Sequence, residues 1–561
     1  MAASPSNKGC WLSVCVPLVI EDAASQIHTD IILTANTFEG INGYQSGAYS
    51  TEYELYLHDA SGKPLPIDGS KEMLRLTVPA MHTTLLKCSE LTRGREPFWG
   101  GLRIRMFVKG KQPIHISDLF SSAYVRWNYA NSFDTLHAHP DPLQLQTTDR
   151  FYSSMPFPNL QQYACKLALF NPYQTPSEGR VLFHAEDGSQ QIEQPYSLPP
   201  FGSAMFSLNE DAAQASIKPI STKNATSHKA LSQGGSIIIE NSEKTVKNFA
   251  YLMIKGKADN AFAAEHTIHQ GNYAVKRGYS PFGANQAFNA RGWLFSSFIF
   301  KQATINGLQL SSRVYMSAGR PLEDELWLLP YTTDADGNLQ WTTSKDEELG
   351  LWLPKNYLQQ GAIRLSPFQS CMLDFEKLSL PKGFAGGIGV ATSPQTSHVL
   401  MKVEVKVHNW NTSAFSHFRP GIKASRALKD ISSRGGLSTD YVVTGAHIKQ
   451  TGAIPQADAL LAIYNLEDSK AGNPSLEVFG KDGLLTRKAL GQLPPSACKH
   501  FLLSSLFPEL HKKGAGLLTL RLIDENAVIT LAALHIDYKR KDIAIDHGSD
   551  RFSTHLDFGC Q

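Results

Sequence analysis

Residues 516–547 read GLLTLRLIDENAVITLAALHIDYKRKDIAIDH. Leu518, Leu520 and Leu522 alternate with Leu517, Thr519 and Arg521. After the polar stretch Asp524-Glu525-Asn526, Val528, Thr530, Ala532, Leu534 and Ile536 alternate with Ile529, Leu531, Ala533 and His535. A period of two on both sides of a polar turn predicts a β-hairpin with one face in a core. The stretch closes on His547, and the same arrangement recurs from Gly101 to His137, Gly235 to His266 and Gly387 to His417.

Working outward, the chain preceding each stretch also matches. Residues 167–200 read LALFNPYQTPSEGRVLFHAEDGSQQIEQPYSLPP, and residues 461–495 read LAIYNLEDSKAGNPSLEVFGKDGLLTRKALGQLPP. Each has a strand ending in asparagine (Asn171, Asn465), a polar loop, a strand leading to Asp-Gly (Asp187-Gly188, Asp482-Gly483) and a third strand ending in Leu-Pro-Pro. A looser copy runs through Leu326–Leu329, Asp336-Gly337 and Leu365-Ser366-Pro367. Another runs through Tyr53–Leu57, Ser61-Gly62 and Val78-Pro79. Asp-Gly supplies the positive φ of a tight turn. Proline, excluded from a central ladder, marks an edge or a crossing between sheets.

About seven short strands per copy with regular turn signals is the pattern of an immunoglobulin-like or related β-sandwich. The chain is therefore expected to be all-β: four tandem sandwich repeats, at residues 1–140, 141–270, 271–420 and 421–561, packed into one rigid assembly. The segments between copies are rich in aromatic residues and proline, which argues for packed connections and against free tethers. Helical signal is confined to short runs such as Leu502–Lys512 and Asn209–Ile217.

The formal charge of +2 over 561 residues and the lack of a long basic run exclude a strongly basic nucleic-acid binder. Seven cysteines at irregular spacing contain no C-x-x-C, and Cys88, Cys371 and Cys498 fall in apolar strand patterns as small buried hydrophobes. The usage is that of a reducing compartment. The run from Cys10 to Ile20 is interrupted by Pro17 and followed by Glu21-Asp22, so it reads as a first strand in place of a signal sequence. No stretch reaches the ~20 apolar residues of a membrane helix. A cytoplasmic protein is expected, with export lacking an obvious signal peptide as the alternative.

His137, His266, His417 and His547 end equivalent strands and are the candidate site. Three readings stand side by side. Four copies in a closed ring present one imidazole each to a central zinc, iron, copper or nickel ion, with Glu265 or Asp546 orienting a ring and His137-x-His139 as a further ligand pair. Alternatively, the histidines line a binding groove at junctions between copies. Or each histidine satisfies backbone groups where the last strand leaves its domain. Asp334-Ala335-Asp336-Gly337-Asn338 resembles a calcium loop but has its glycine two positions early, and it coincides with the expected turn. No G-x-S-x-G and no H-E-x-x-H occurs. The expected function is a non-enzymatic binding or structural protein that meets a protein or small-molecule ligand through inter-domain grooves or loops. The alternative is a metal-dependent oxidoreductase or hydrolase using the four histidines.

Overall fold

A computed structural model describes residues 9–35, 50–67, 71–80, 82–109, 123–140, 152–208, 231, 233–242, 248–266, 268–270, 293–318, 326–340, 345–346, 351–352, 363–392, 399–420, 439–451, 454–467, 470–513 and 516–550. It is all-β, built from antiparallel sheets. Short helices occur at Cys88–Thr92, Leu503–Leu506 and Pro508–Lys513. The expected helical turn at Asn209–Ile217 lies outside the described residues. Among them, no helix is long and apolar enough to cross a membrane. The N-terminal apolar run is strand Gly9–Asp22, and Cys15, Cys88, Cys165, Cys371 and Cys498 are buried.

The stretch that opens the reading is corrected in one respect. Gly516–Asp524 and Ile529–Asp537 are strands, but they are not partners. The first pairs with Thr439–Thr451 and Ser475–Gly480; the second pairs with Ile454–Asn465 and Asp542–Asp546. The turn between them arches from one sheet to the facing one. Asp524 fixes that arch, since its Oδ1 accepts the N–H groups of Asn526 and Ala527, each at 2.8 Å. Alternation specifies a strand and its inward face, not its neighbour. Leu518, Leu520 and Leu522 indeed point inward, and meet Ile529, Leu531 and Ala533 across one core. The strands of the other expected hairpins, Phe98–Lys109 and Ala123–Tyr129, Gly235–Asn241 and Phe249–Gly256, and Phe384–Thr392 and Val399–Val407, likewise pair with other strands and not with each other.

The pairing order is regular. In residues 152–270, one sheet runs Gln190–Leu198, Ser177–Ala185, Gly235–Asn241, Tyr152–Phe157, Ile268–Gln270. The facing sheet runs Ser203–Ser207, Tyr163–Phe170, Phe249–Gly256, Phe262–His266. Strands in residues 9–140, 293–420 and 439–550 pair in that same order. Local chemistry repeats with it. Asn171 accepts from the Tyr173 N–H and donates to the carbonyls of Thr175 and Pro199; Asn465 accepts from Glu467 and donates to Lys470, Leu493 and Pro494. One buried amide thus ties the loop to the proline step, which explains why both copies carry asparagine there. Asp334–Asn338 is a tight turn in which the Asp334 carboxylate accepts the N–H groups of Asp336 and Asn338.

Successive groups of strands share cores along the chain. Ala168, Tyr251, Phe262 and Ala264 of the second lie in one cluster with Trp127 and Leu136 of the first. Tyr315 and Phe415 join the second core, and Leu460, Ala462, Ala532, Leu534 and Ile536 join the third. Strand Ile529–Asp537 is therefore apolar on both faces, because it serves its own core on one and a neighbour's on the other. Fully burying each such Leu or Ile contributes roughly 1.5–3 kcal/mol.

At the rim, turns dock on proline steps. The Ser203 N–H donates to Ala60 (3.0 Å), Ser370 to Glu186 (2.9 Å) and Cys498 to Asp334 (3.1 Å). His58 stacks on Phe201 with centroids 4.5 Å apart, and His184 on Phe368 at 4.2 Å.

Candidate metal centre

Strands Ser132–His137, Phe262–His266, Thr412–His417 and Asp542–Asp546 each hydrogen-bond to the strand before them, with Tyr124 opposite His137, Tyr251 opposite His266 and Lys402 opposite His417. Just after each histidine the chain crosses to the other sheet, where His139 pairs with Cys15, Ile268 with Ser154, Arg419 with Phe295 and Ser549 with Val442. Backbone bonds on both sides of the crossing thus hold the histidine that lies between them.

The structure brings all four candidates together. Ring centroids in chain order are 4.9, 4.1 and 4.0 Å apart, and His547 closes on His137 at 5.0 Å. Both diagonals are 6.3 Å. The four imidazoles therefore form a near-square in sequence order. One nitrogen from each lies within 4.8 Å of the others, and the residues are only 1, 7, 6 and 6 % exposed. The side chains of His139 and His269 lie outside the described residues.

Hydrogen bonds decide which nitrogens face inward. His137 Nδ1 contacts the Ala138 carbonyl at 3.1 Å, and His547 Nδ1 contacts the Gly548 carbonyl at 2.7 Å. A carbonyl only accepts, so each Nδ1 carries the proton and donates it, and each neutral ring keeps its lone pair on Nε2. Those two Nε2 atoms face one another at 3.2 Å. Two lone pairs at that distance repel unless a cation, a proton or a metal ion, lies between them. Nitrogens about 3.3 Å apart are also what a tetrahedral site with ~2.0 Å metal–nitrogen bonds requires. The donor set fits a borderline-soft transition metal, and the carbonyl-anchored Nδ1–H is the usual outer support of a ligating histidine.

A buried charged pair supports a third ring. Glu265 Oε2 lies 3.4 Å from His417 Nδ1 and 3.0 Å from Lys402 Nζ. Burial works to raise the Glu265 pKa, but Lys402 and His417 outweigh it, and Glu265 stays below the ordinary carboxylate range. Burial lowers Lys402, against the pull of Glu265. Glu265 thus contacts the ring of His417, 152 positions away, and not that of its chain neighbour His266. Asp546 Oδ1 instead accepts the Gly548 N–H at 3.1 Å.

Two carboxyls buried on these strands were not anticipated. Asp542 accepts from Ser132 Oγ (2.6 Å), the Phe133 N–H (2.8 Å) and Thr412 Oγ1, and burial pushes its pKa up to about 6. Asp134 accepts the Ala264 N–H at 2.6 Å, and burial raises it well above the carboxylate range. A polar residue at an inward position of an apolar strand, such as Lys402 in VLMKVEV, is the signal that marks such groups. Trp127 is fully buried and donates its indole N–H to the Leu18 carbonyl. No family model matches the chain, and no curated protein is significantly similar to it.

Proposed function

We propose that this is a non-enzymatic binding or structural protein: four immunoglobulin-like β-sandwich units closed into a ring and clasped at its axis by one transition-metal ion on His137, His266, His417 and His547. The recurring strand order and the equivalent roles of Asn171 and Asn465 support the four units. The facing Nε2 atoms of His137 and His547, with both Nδ1 atoms committed to carbonyls, are the observation that carries the metal reading.

The same geometry favours a structural ion over a catalytic one. Structural sites are closed by protein ligands, whereas catalytic sites keep a position for water or substrate. Here four protein ligands converge and every one is buried, which argues against the metal-dependent oxidoreductase or hydrolase. A closed clasp instead makes the relative placement of the units depend on the ion, so that the rim loops and inter-unit grooves form one continuous surface for a protein or small-molecule ligand.

The test is elemental analysis of untagged protein purified without chelator, beside His266→Ala and His137→Gln. About one equivalent of zinc, iron, copper or nickel, lost in both variants, is expected. Protein that stays metal-free after incubation with those ions overturns the reading.

A further inference from the structure

The four imidazoles have a shape as well as a donor set. Ligands at the corners of a tetrahedron are all equally far apart, whereas a square has four short sides and two long diagonals. Here the sides between ring centroids are 4.9, 4.1, 4.0 and 5.0 Å, and both diagonals are 6.3 Å. The diagonals exceed the mean side by a factor of about 1.4, as in a planar square. Half a diagonal is about 3.2 Å, which matches a ~2.0 Å metal–nitrogen bond plus the span from that nitrogen to its ring centre. A tetrahedral ion with the same bonds would hold all six separations near ~5.1 Å, well short of either diagonal.

Equivalent positions explain the plane. Each histidine stands where the chain leaves one sheet and crosses to the facing one, ahead of the pairings made by His139, Ile268, Arg419 and Ser549. Equivalent stretches of one handed chain are related by rotation, and rotation about a shared axis brings every imidazole in from the same side. A tetrahedron needs two from above and two from below. Ring orientation agrees: neighbouring rings are inclined by 59, 70, 71 and 70°, and diagonal rings by 80 and 75°, so the four are canted alike. The spacing that also suits a tetrahedron, 3.2 Å between the Nε2 atoms of His137 and His547, lies on the widest side, and one side does not separate the two shapes. Among the described residues this ligand group contains histidine alone. Closed zinc sites are almost always tetrahedral, and the facial triad of non-haem iron needs a carboxylate; four nitrogens in a square suit copper(II) or nickel(II).

Resting on the four-histidine reading above, we infer that the centre is built for a square-planar or tetragonal ion, copper(II) or nickel(II), in place of tetrahedral zinc. The test is elemental analysis of untagged full-length protein purified without chelator, together with electron paramagnetic resonance of the copper(II)-loaded protein. About one equivalent of copper or nickel is expected as purified. The copper-loaded wild type should give an axial spectrum split by four near-equivalent nitrogens, and His137→Gln should show three. The wild-type spectrum is informative even if the variant fails to fold. Capture of copper is not the criterion, because copper(II) outcompetes zinc at most nitrogen sites. Stoichiometric zinc as purified, or a copper spectrum of a tetrahedrally distorted site, overturns the inference and leaves the four-histidine site standing. Protein that takes up none of these ions overturns the four-histidine reading itself, and this inference with it.

Discussion

Gly62 stands against the carbonyl of Pro200: a Cβ added to Gly62 would lie 2.0 Å from that oxygen. Gly188 and Gly337 approach Pro367 and Pro495 in the same manner, at 2.6 and 2.3 Å. The Asp482-Gly483 turn differs, since a Cβ on Gly483 would meet nothing within 4 Å. All four glycines have positive φ, so alanine costs each about 1–2 kcal/mol in backbone strain. Gly62→Ala adds overpacking of roughly 1–3 kcal/mol and Gly483→Ala does not. Urea denaturation of the two variants should separate them by that margin, and equal losses would mean the docked turn is not tight.

Lys402 and Glu265 are buried together, at 3 and 1 % exposure. Lys402→Met strands the carboxylate, and breaking a buried pair in this way costs about 3–5 kcal/mol. Adding Glu265→Gln should recover most of the loss. A double variant no more stable than Lys402→Met would show that the ammonium acts alone.

Asp542 gives a pH signature. Its folded pKa of about 6 lies above the ordinary value of 3.8. Between those values the folded state binds more protons than the unfolded one, so this group's contribution falls as pH rises from about 4 to about 6 and is flat above. Asp542→Asn removes the titration. The stability of the variant relative to wild type should therefore climb across that window and level off near neutrality. A difference that is constant with pH would mean the carboxyl is not desolvated.

Chelation should destabilise the fold. An ion present at a thousand times its Kd stabilises the folded state by about 4 kcal/mol. Chelator should lower Tm in wild type and leave His547→Gln unchanged. An identical fall in both would place the metal elsewhere.

Much of this was legible in the chain. The strand positions followed from alternation, the turns from Asp-Gly, and the set of four histidines from its place at the end of each stretch. What failed was the partner of each strand. Leu518 and Ile529 have the same period whether their strands hydrogen-bond side by side or face one another across a core, so the arch after Asp524 was read as a hairpin. Contacts between copies were hidden for another reason. His58 on Phe201 joins residues whose spacing carries no local pattern, and nothing in the neighbours of Lys402 names Glu265 as its partner.

Ser132 and Asp542 are bonded across 410 positions of chain. Synthesis at about 5–20 residues per second separates their emergence by roughly 20–80 s. During that interval the strand bearing His137 has no final neighbour on one side, and Asp134 and Phe133 remain where solvent or another nascent chain reaches them. The Ser132–Asp542 contact thus forms only late in synthesis. A cell producing this protein must hold the strand bearing Ser132 without its Asp542 partner for roughly 20–80 s.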